Sequence, residues 1–553
     1  MKKLLFILLY FIQFNLSFGQ NYYLKIEGKS KAETTTIDSI GYSTKHTNIK
    51  SLTDEYNLFS KKLIKLGYVD FQNIENKKVN DSSLVFKCFL NKKITYLYIK
   101  VENYTFFDLV NEIKVDTIKI TFEESENYLK NVSKKLELAG FPMAKVKLKS
   151  LKKSDKIMYA NLSLDIDKKR YLDNIIINGY DKFPKNHKKN LIRLFKNKTF
   201  NQQNLENLYS NINKFRFINQ TKYPEVLFKK DSTVAYVYLE KSKSNTFDGI
   251  IGFSNDEQEK VVFNGYLDLK LNNILNSGEH FSLFWKSDGQ EQRTFNVCFE
   301  LPYLFSTPIG LKTELQIFKQ DSTFQNTRTS LNLGYFFNYN TRLYFGYDTV
   351  ESSDIQNTNS ISISDYENKF YTSTFEYVHL DRMDALFQEK TTLNIKLGTG
   401  QRDSKIQKNK QFISSLNTKH NININERNSV NLRLETFYLQ SDEYIINELQ
   451  RFGGINSIRG FNENSLQANL LSSLQTEYRY RLSSNLYVHS ILDYGYFEDK
   501  TTKTKNNIYG FGFGLGVNTK NGLLNIIYAN GSTKDQNIKL SNSIVHLSLK
   551  ANF

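Results

Sequence analysis

The sequence predicts mixed α and β modules followed by a sixteen-stranded antiparallel transmembrane β-barrel. Three observations lead there. The texture changes near Ser244, many later segments of roughly ten residues alternate in polarity, and the chain ends on Phe553 inside the last of them. A soluble β-sandwich or propeller is the competing all-β reading, but it would not call for an export leader, abundant Tyr and Phe and a terminal strand together.

The N-terminus carries Lys2-Lys3, an apolar run from Leu4 to Phe18 interrupted by Gln13 and Asn15, and the small residues Ser17 and Gly19. This pattern reads as a secretory signal peptide over residues 1–19. An uncleaved anchor helix is the alternative, and the short run ending in a small-x-small site argues against it. Cleavage would leave Gln20 or Asn21 first, with no Cys to carry a lipid. Elsewhere 24% charged residues and a mean hydropathy of −0.49 exclude a helical membrane protein, and no internal apolar run reaches the ~18 residues of a spanning helix.

An exported chain with only Cys88 and Cys298, in different regions, is not stapled by disulfides. The formal charge of +17 would suit an anionic partner such as lipopolysaccharide or membrane headgroups. Lys and Asn are spread along the whole chain with no compact basic cluster, so the plainer reading is a solvated surface. Export leaves little access to nucleic acid.

Residues 20–244 read as three modules with a period of roughly 70 to 80 residues, the kind of repeat sought first in any chain. Their expected bounds are 20–100, 101–170 and 171–244. The first has a strand over 22–26, a helix over 51–66 that stops at Gly67, and strands through Leu84 to Phe89. Apolar spacing at Leu58, Leu63 and Leu66 supports the helix. The second has a strand over 117–122, a helix over 124–138 before Gly140, and strands over 144–151 and 158–166. The third has a strand over 172–177, helices over 186–195 and 202–215, and strands near 225–228 and 234–239.

From residue 245 to 553 the dyad pattern takes over. Val430, Leu432 and Leu434 alternate with Asn431, Arg433 and Glu435, and Val545, Leu547, Leu549, Ala551 and Phe553 alternate with His546, Ser548, Lys550 and Asn552. Strands are expected to begin near 246, 260, 280, 292, 309, 327, 341, 369, 390, 411, 428, 470, 486, 508, 522 and 543. An even number permits antiparallel closure. Gly510, Gly512, Gly514 and Gly516 alternate with Phe511, Phe513, Leu515 and Val517. No helix follows to make a phosphate-binding loop, so the glycines read as a bare inner face with room for an inserted segment.

Such a segment stands between the eleventh and twelfth expected strands: Arg451-Phe-Gly-Gly-Ile-Asn-Ser-Ile-Arg459-Gly460-Phe461. Two more motifs precede it, Glu300-Leu-Pro302-Tyr303-Leu-Phe305 and His379-Leu380-Asp381-Arg382. In this order, after a leader and three modules, they resemble the BamA/TamA outer-membrane assembly superfamily across nearly the whole mature chain. The two shorter motifs resemble its "PY" turn and "DxR" strand end. The modules resemble POTRA domains, and three of them before a barrel is nearer to TamA-like members than to BamA with its usual five.

The resemblance implies that Arg459 folds into the lumen and pairs with acids on the following strands, for which Glu477 and Asp493 match by position. Alternation independently puts Glu477 on one face with Gln475, Arg479 and Arg481. A partly desolvated Arg requires such carboxylates, because an unpaired buried charge is costly. A solvated surface Arg on an outer loop is the plainer alternative.

The resemblance further implies insertion or translocation of client polypeptides at the outer membrane of a Gram-negative cell, without nucleotide or any other cofactor or metal. The modules would lie in the periplasm and receive unfolded clients by strand addition. The barrel seam would be the working site: Gly249 and Gly252 weaken the first strand's ladder, and Phe553 ends the last strand. Partners would be the lipid bilayer, unfolded clients and accessory proteins of the periplasm or inner membrane. Three rivals stand beside this reading. A two-partner-secretion exporter would typically have two modules and a plug helix, whereas Asn21 to Ile26 reads as a strand. A passive porin would give the modules no role. A barrel phospholipase would need more than His546 near Ser548 or His489 near Asp493, and the sequence holds neither His-Glu-x-x-His nor Gly-x-Ser-x-Gly.

Overall fold

A computed structural model describes residues 21–102, 105–110, 113–255, 261–287, 292–357, 360, 362–382, 384, 386–405, 407–519, 522–533 and 543–552. The leader expected over 1–19 and the terminal Phe553 lie outside these residues. The chain forms two compact units, one built up to Tyr171 with Lys198–Asn204, the other from Leu172–Asn197 with Leu205 onward.

The first unit holds two α/β modules. In the first, β1 (Tyr22–Gly28), α1 (Lys31–Ile40), β2 (Lys45–His46), α2 (Ile49–Lys65), β3 (Gln72–Asn80) and β4 (Ser83–Phe89) make a sheet of order β2-β1-β4-β3. Helix α2 starts where Asn48 accepts a hydrogen bond from the Ser51 amide, and it buries Leu52, Tyr56, Phe59 and Leu63. The inward face is therefore offset from the expected one, and Leu58 is 64% exposed. The helix stops at Gly67 (φ 100°), where a Cβ would fall 2.2 Å from the Ile94 carbonyl oxygen. Helix α1 was not expected. It carries three consecutive Thr and buries only Ile37, so its propensity and apolar stripe are both weak.

The second module comprises β5 (Tyr96–Lys100), α3 (Thr105–Val110), β6 (Thr117–Thr121), α4 (Ser125–Leu138), β7 (Lys145–Ser154) and β8 (Ile157–Asp165), in sheet order β6-β5-β8-β7. This corrects the expected boundary at residue 100, which cuts β5 from its own sheet. Strand β5 pairs with β6 and runs parallel to β8, and its Leu97 and Ile99 sit in the second module's core. No glycine or proline separates β5 from what precedes it, so the chain gave no punctuation there. The third module has β9 (Asn174–Asn178), α5 (Lys185–Phe195), α6 (Gln202–Ile212), β10 (Ile218–Phe228) and β11 (Thr233–Lys241), ordered β10-β11-β9.

The second unit closes an antiparallel barrel of sixteen strands among the described residues. They are β12 (Thr246–Asn255), β13 (Val261–Asn272), β14 (His280–Ser287), β15 (Gln292–Leu301), β16 (Ile309–Gln320), β17 (Phe324–Asn338), β18 (Thr341–Asp354), β19 (Tyr366–Leu380), β20 (Glu389–Ser404), β21 (Lys408–Asn423) and β22 (Asn428–Gln440). A two-stranded hairpin, β23 (Gln450–Phe452) with β24 (Leu466–Ala468), interrupts the series. The barrel resumes with β25 (Leu470–Ser483), β26 (Leu486–Asp499), β27 (Thr504–Thr519), β28 (Gly522–Thr533) and β29 (Ile544–Asn552).

Alternation decides which side chains face out. On β17, Leu331, Leu333, Tyr335 and Phe337 are exposed while Ser330, Asn332 and Phe336 are buried. Exposed Phe345, Tyr371, Leu397, Tyr478, Leu492, Phe513, Leu547 and Leu549 continue the outward apolar band around the wall. A band of this kind, with polar groups inside, suits hydrocarbon outside and a filled lumen within.

At the mouth of the barrel, Arg382 donates from Nε to the Asn213 carbonyl oxygen (2.7 Å), and its two terminal nitrogens donate to the carbonyl oxygens of Ile218 (2.5 Å) and Phe215. The third module's His187 is fully buried among Tyr303, Phe215, Phe217 and Tyr339, at ring-centroid separations of 4.8, 5.2, 5.5 and 5.7 Å. The barrel-side Gly278 leaves room for that imidazole, since a Cβ there would fall 1.8 Å from its Cε1. The DxR and PY motifs thus supply Arg382 and Tyr303 to the joint between module and barrel.

Candidate functional site: the inserted loop and the barrel seam

The segment between β22 and β25 turns inward as a hairpin. Gly453, Gly454 and Gly460 all take positive φ (104°, 100° and 89°), a region that favours glycine. Phe452, Ile458 and Phe461 bury against Leu471, Phe497 and Ile508 of the wall, so hydrophobic burial seats the loop before any polar contact is made.

Arg459, 4% exposed, reaches two acids. Its Nε donates to Asp493 Oδ2 (2.8 Å), its Nη2 to Asp493 Oδ1 (2.5 Å) and its backbone N–H to Asp493 Oδ2 (3.0 Å), while Nη1 donates to Glu477. This is a fork-on-carboxylate arrangement, the strongest geometry for a guanidinium. Glu477 is shared, because Arg479 Nη2 also donates to it at 2.5 Å. Asp493 has no second arginine in the described structure, and its side chain is wholly buried. Gly460 presses against β28, where its Cβ position would lie 2.3 Å from the Asn530 carbonyl carbon. Phe461 packs beside Gly531, whose Cβ position would lie 2.8 Å from the phenyl ring. The glycines of β27 serve different neighbours. A Cβ on Gly510 would meet the Arg459 carbonyl oxygen at 2.4 Å, whereas on Gly514 and Gly516 it would strike the rings of His489 and Tyr487.

A second anchor went unseen in the sequence. Arg402 on β20 and Glu448 in the loop are both 1% exposed, and Arg402 Nη1 donates to Glu448 Oε1 at 2.5 Å. Gln411 Nε2 donates to the other oxygen (2.8 Å), and neighbouring Asn447 donates to Ser352 Oγ and to the Ser364 carbonyl oxygen, each at 2.8 Å. The available signal was alternation, which puts Arg402 on the face of Gly398 and Gly400, together with one acid inside the apolar run Tyr444-Ile-Ile-Asn-Glu448-Leu.

The seam between β12 and β29 is short. Among the described residues Thr246, Phe247 and Asp248 pair with Asn552, Ala551 and Lys550, and the ladder ends there. On its other side β12 pairs with β13 over ten positions, Gly249 and Gly252 included. The glycines do not interrupt that ladder. Gly249 is instead fitted closely, since a Cβ would stand 2.8 Å from the Tyr266 carbonyl oxygen. Both lie past the last seam pair, and among the described residues β12 has no β29 partner beyond Asp248. Asp248 closes the short ladder by accepting from the Leu549 amide (3.3 Å) and the Tyr266 hydroxyl (2.7 Å).

The Omp85 superfamily domain model matches residues 273–548, a span that takes in both the inserted loop and most of the barrel wall. This barrel is an Omp85 superfamily domain. The fold is similar to CdiB from Escherichia coli at 14% identity and TM-score 0.53, covering 91% of this chain and 97% of that one. It is likewise similar to CdiB from Acinetobacter baumannii at 14% identity and TM-score 0.53, covering 83% and 90%. BamA from Haemophilus ducreyi lacking POTRA domains 1–3 aligns at 14% identity and TM-score 0.49, covering 82% and 99%. No curated protein sequence matches the chain. The Omp85 domain places the protein in the outer membrane, in the assembly or translocation of other polypeptides.

Proposed function

We propose that the protein inserts client β-strands into the outer membrane at the β12–β29 seam, after capture on its periplasmic modules. The observation that carries this reading is the three-pair seam, which among the described residues leaves most of the β12 edge as an unsatisfied template for another strand. The modules offer further edges. All nine residues of β3 are exposed at the end of their sheet, and β7 and β10 also stand at sheet ends. Lys145, Lys147, Lys149, Lys152 and Lys153 on β7 keep that edge from pairing with copies of itself.

The reaction needs no chemistry from side chains. Strand pairing supplies the binding in this reading, and Asp493 beside His489 is engaged by Arg459. Export of one dedicated protein through the lumen is the second reading, favoured by the fold likeness to the two CdiB structures.

One experiment separates the two. A Phe247→Cys/Ala551→Cys pair, in a background lacking Cys88 and Cys298, covalently closes the seam. Quantitative proteomics of outer membrane and medium then follows in cells that keep their main assembly machine. Loss of several unrelated barrel proteins under oxidising conditions, restored by reductant, supports insertion at the seam. Loss of a single secreted protein, or no change, overturns it.

A further inference from the structure

The inserted loop does more than plug the lumen: it reaches both sides of the seam. On one side Arg459 is fixed to β26 through Asp493, and Gly460 lies against β28. On the other side Glu463, four residues on, pairs with Lys286 of β14 at 3.3 Å. The register shows where that contact stands. Lys286 is paired with Tyr266, and Tyr266 with Ile250, two residues past the last seam pair at Asp248. The loop therefore crosses the seam from inside at the height where backbone pairing has just ended. Glu463 is held in place by the turn, because Gly454 (φ 100°) leaves its carboxylate the space a Cβ would fill, 2.2 Å from Oε2.

We propose that the Glu463–Lys286 pair is a latch, a positioning contact that keeps the seam shut until the loop tip lifts. The inference rests on the seam being the site of insertion, but its mechanical content stands apart from that. The two side chains are 25% and 35% exposed, so the pair is weak and reversible, as a latch that must open without an energy source requires. Its strength lies in placement, because a modest contact beside a three-pair ladder is a large share of what holds the two edges together.

The test is hydrogen–deuterium exchange of the full-length protein in lipid nanodiscs, read at the amides of 246–248 and 550–552. Lys286→Glu and Glu463→Lys alone are each expected to speed exchange there by about threefold to fivefold, the size of one exposed ion pair. The Lys286→Glu/Glu463→Lys exchange of charges restores the slow rate, which a merely structural role would not do. Equal exchange in the parent and both single variants overturns the latch, as does failure of the double variant to recover. Faster exchange with undiminished insertion in cells would leave the latch standing and remove the seam from the insertion reaction.

Discussion

The carbonyl oxygen of Arg459 occupies the space that a side chain on Gly510 would take, with 2.4 Å between it and the Cβ position. The wall glycine and the loop arginine are thus fitted to one another through backbone, and backbone does not give way as a long side chain would. Gly510→Ala is expected to leave the barrel closed while displacing the loop tip. Limited proteolysis checks this: cleavage between Gly453 and Ser465 should appear in the variant, and full protection would refute the fit.

The two acids that hold Arg459 are not equivalent. Glu477 keeps Arg479 when Arg459 is lost, whereas Asp493 is left as a buried carboxylate with its arginine gone. Arg459→Met is expected to lower stability by about 3–5 kcal/mol, the range for breaking a buried pair from one side, and adding Asp493→Asn should recover more of it than adding Glu477→Gln. Heat-modifiability on gels gives the midpoints, and a larger recovery with Glu477→Gln would reverse the assignment.

Arg402 and Glu448 are both buried, so removal of either leaves the other without its counter-charge, although Glu448 keeps the Gln411 amide. Glu448→Gln or Arg402→Met should each cost about 3–5 kcal/mol, and the double variant should be less damaged than the sum of the singles. A double-mutant cycle on unfolding midpoints decides it, with additivity counting against coupling.

His187 lies in a periplasmic module, and burial among aromatic rings pushes its imidazole down to about 3. A base whose folded value is depressed binds its proton mainly in the unfolded state, so its neutral form contributes fully above about 6.5. That contribution is lost as pH falls from about 6.5 toward 3, by at most about 1.4 kcal/mol per pH unit. The joint is expected to loosen in acid, and His187→Phe should flatten the dependence. Denaturation midpoints of parent and variant at pH 7 and pH 4.5 measure it; equal slopes would exclude His187 as the source.

Arg382 serves three carbonyl groups from one planar fork. Arg382→Lys keeps the charge but cannot reach all three, so it should free the third module nearly as much as Arg382→Ala. Spin-label distances between that module and the barrel should broaden equally in both variants, and rescue by Lys would show that charge alone suffices.

Much of this architecture follows from local pattern. Alternation with a period of two marks the barrel strands, because hydrocarbon outside and polar groups inside leave each residue one permitted face. The spacing of apolar residues, with Gly67 and Gly140 as stops, marks α2 and α4. Helix α1 escaped because its threonines and single buried Ile37 give no stripe, and the 100/101 boundary failed because β5 finds its partners, β6 and β8, far along the chain. The sequence by itself determined the barrel, the modules and the presence of an arginine-bearing insertion. Only the tertiary structure decided that Arg402 meets Glu448, that the seam closes over three pairs, and that Glu463 crosses it to Lys286. The last two depend on closure, which brings the first strands beside the last, and the first depends on the loop turning back into the lumen. No periodicity encodes contacts across so many residues, since they exist only once the ring is shut and the loop is in place.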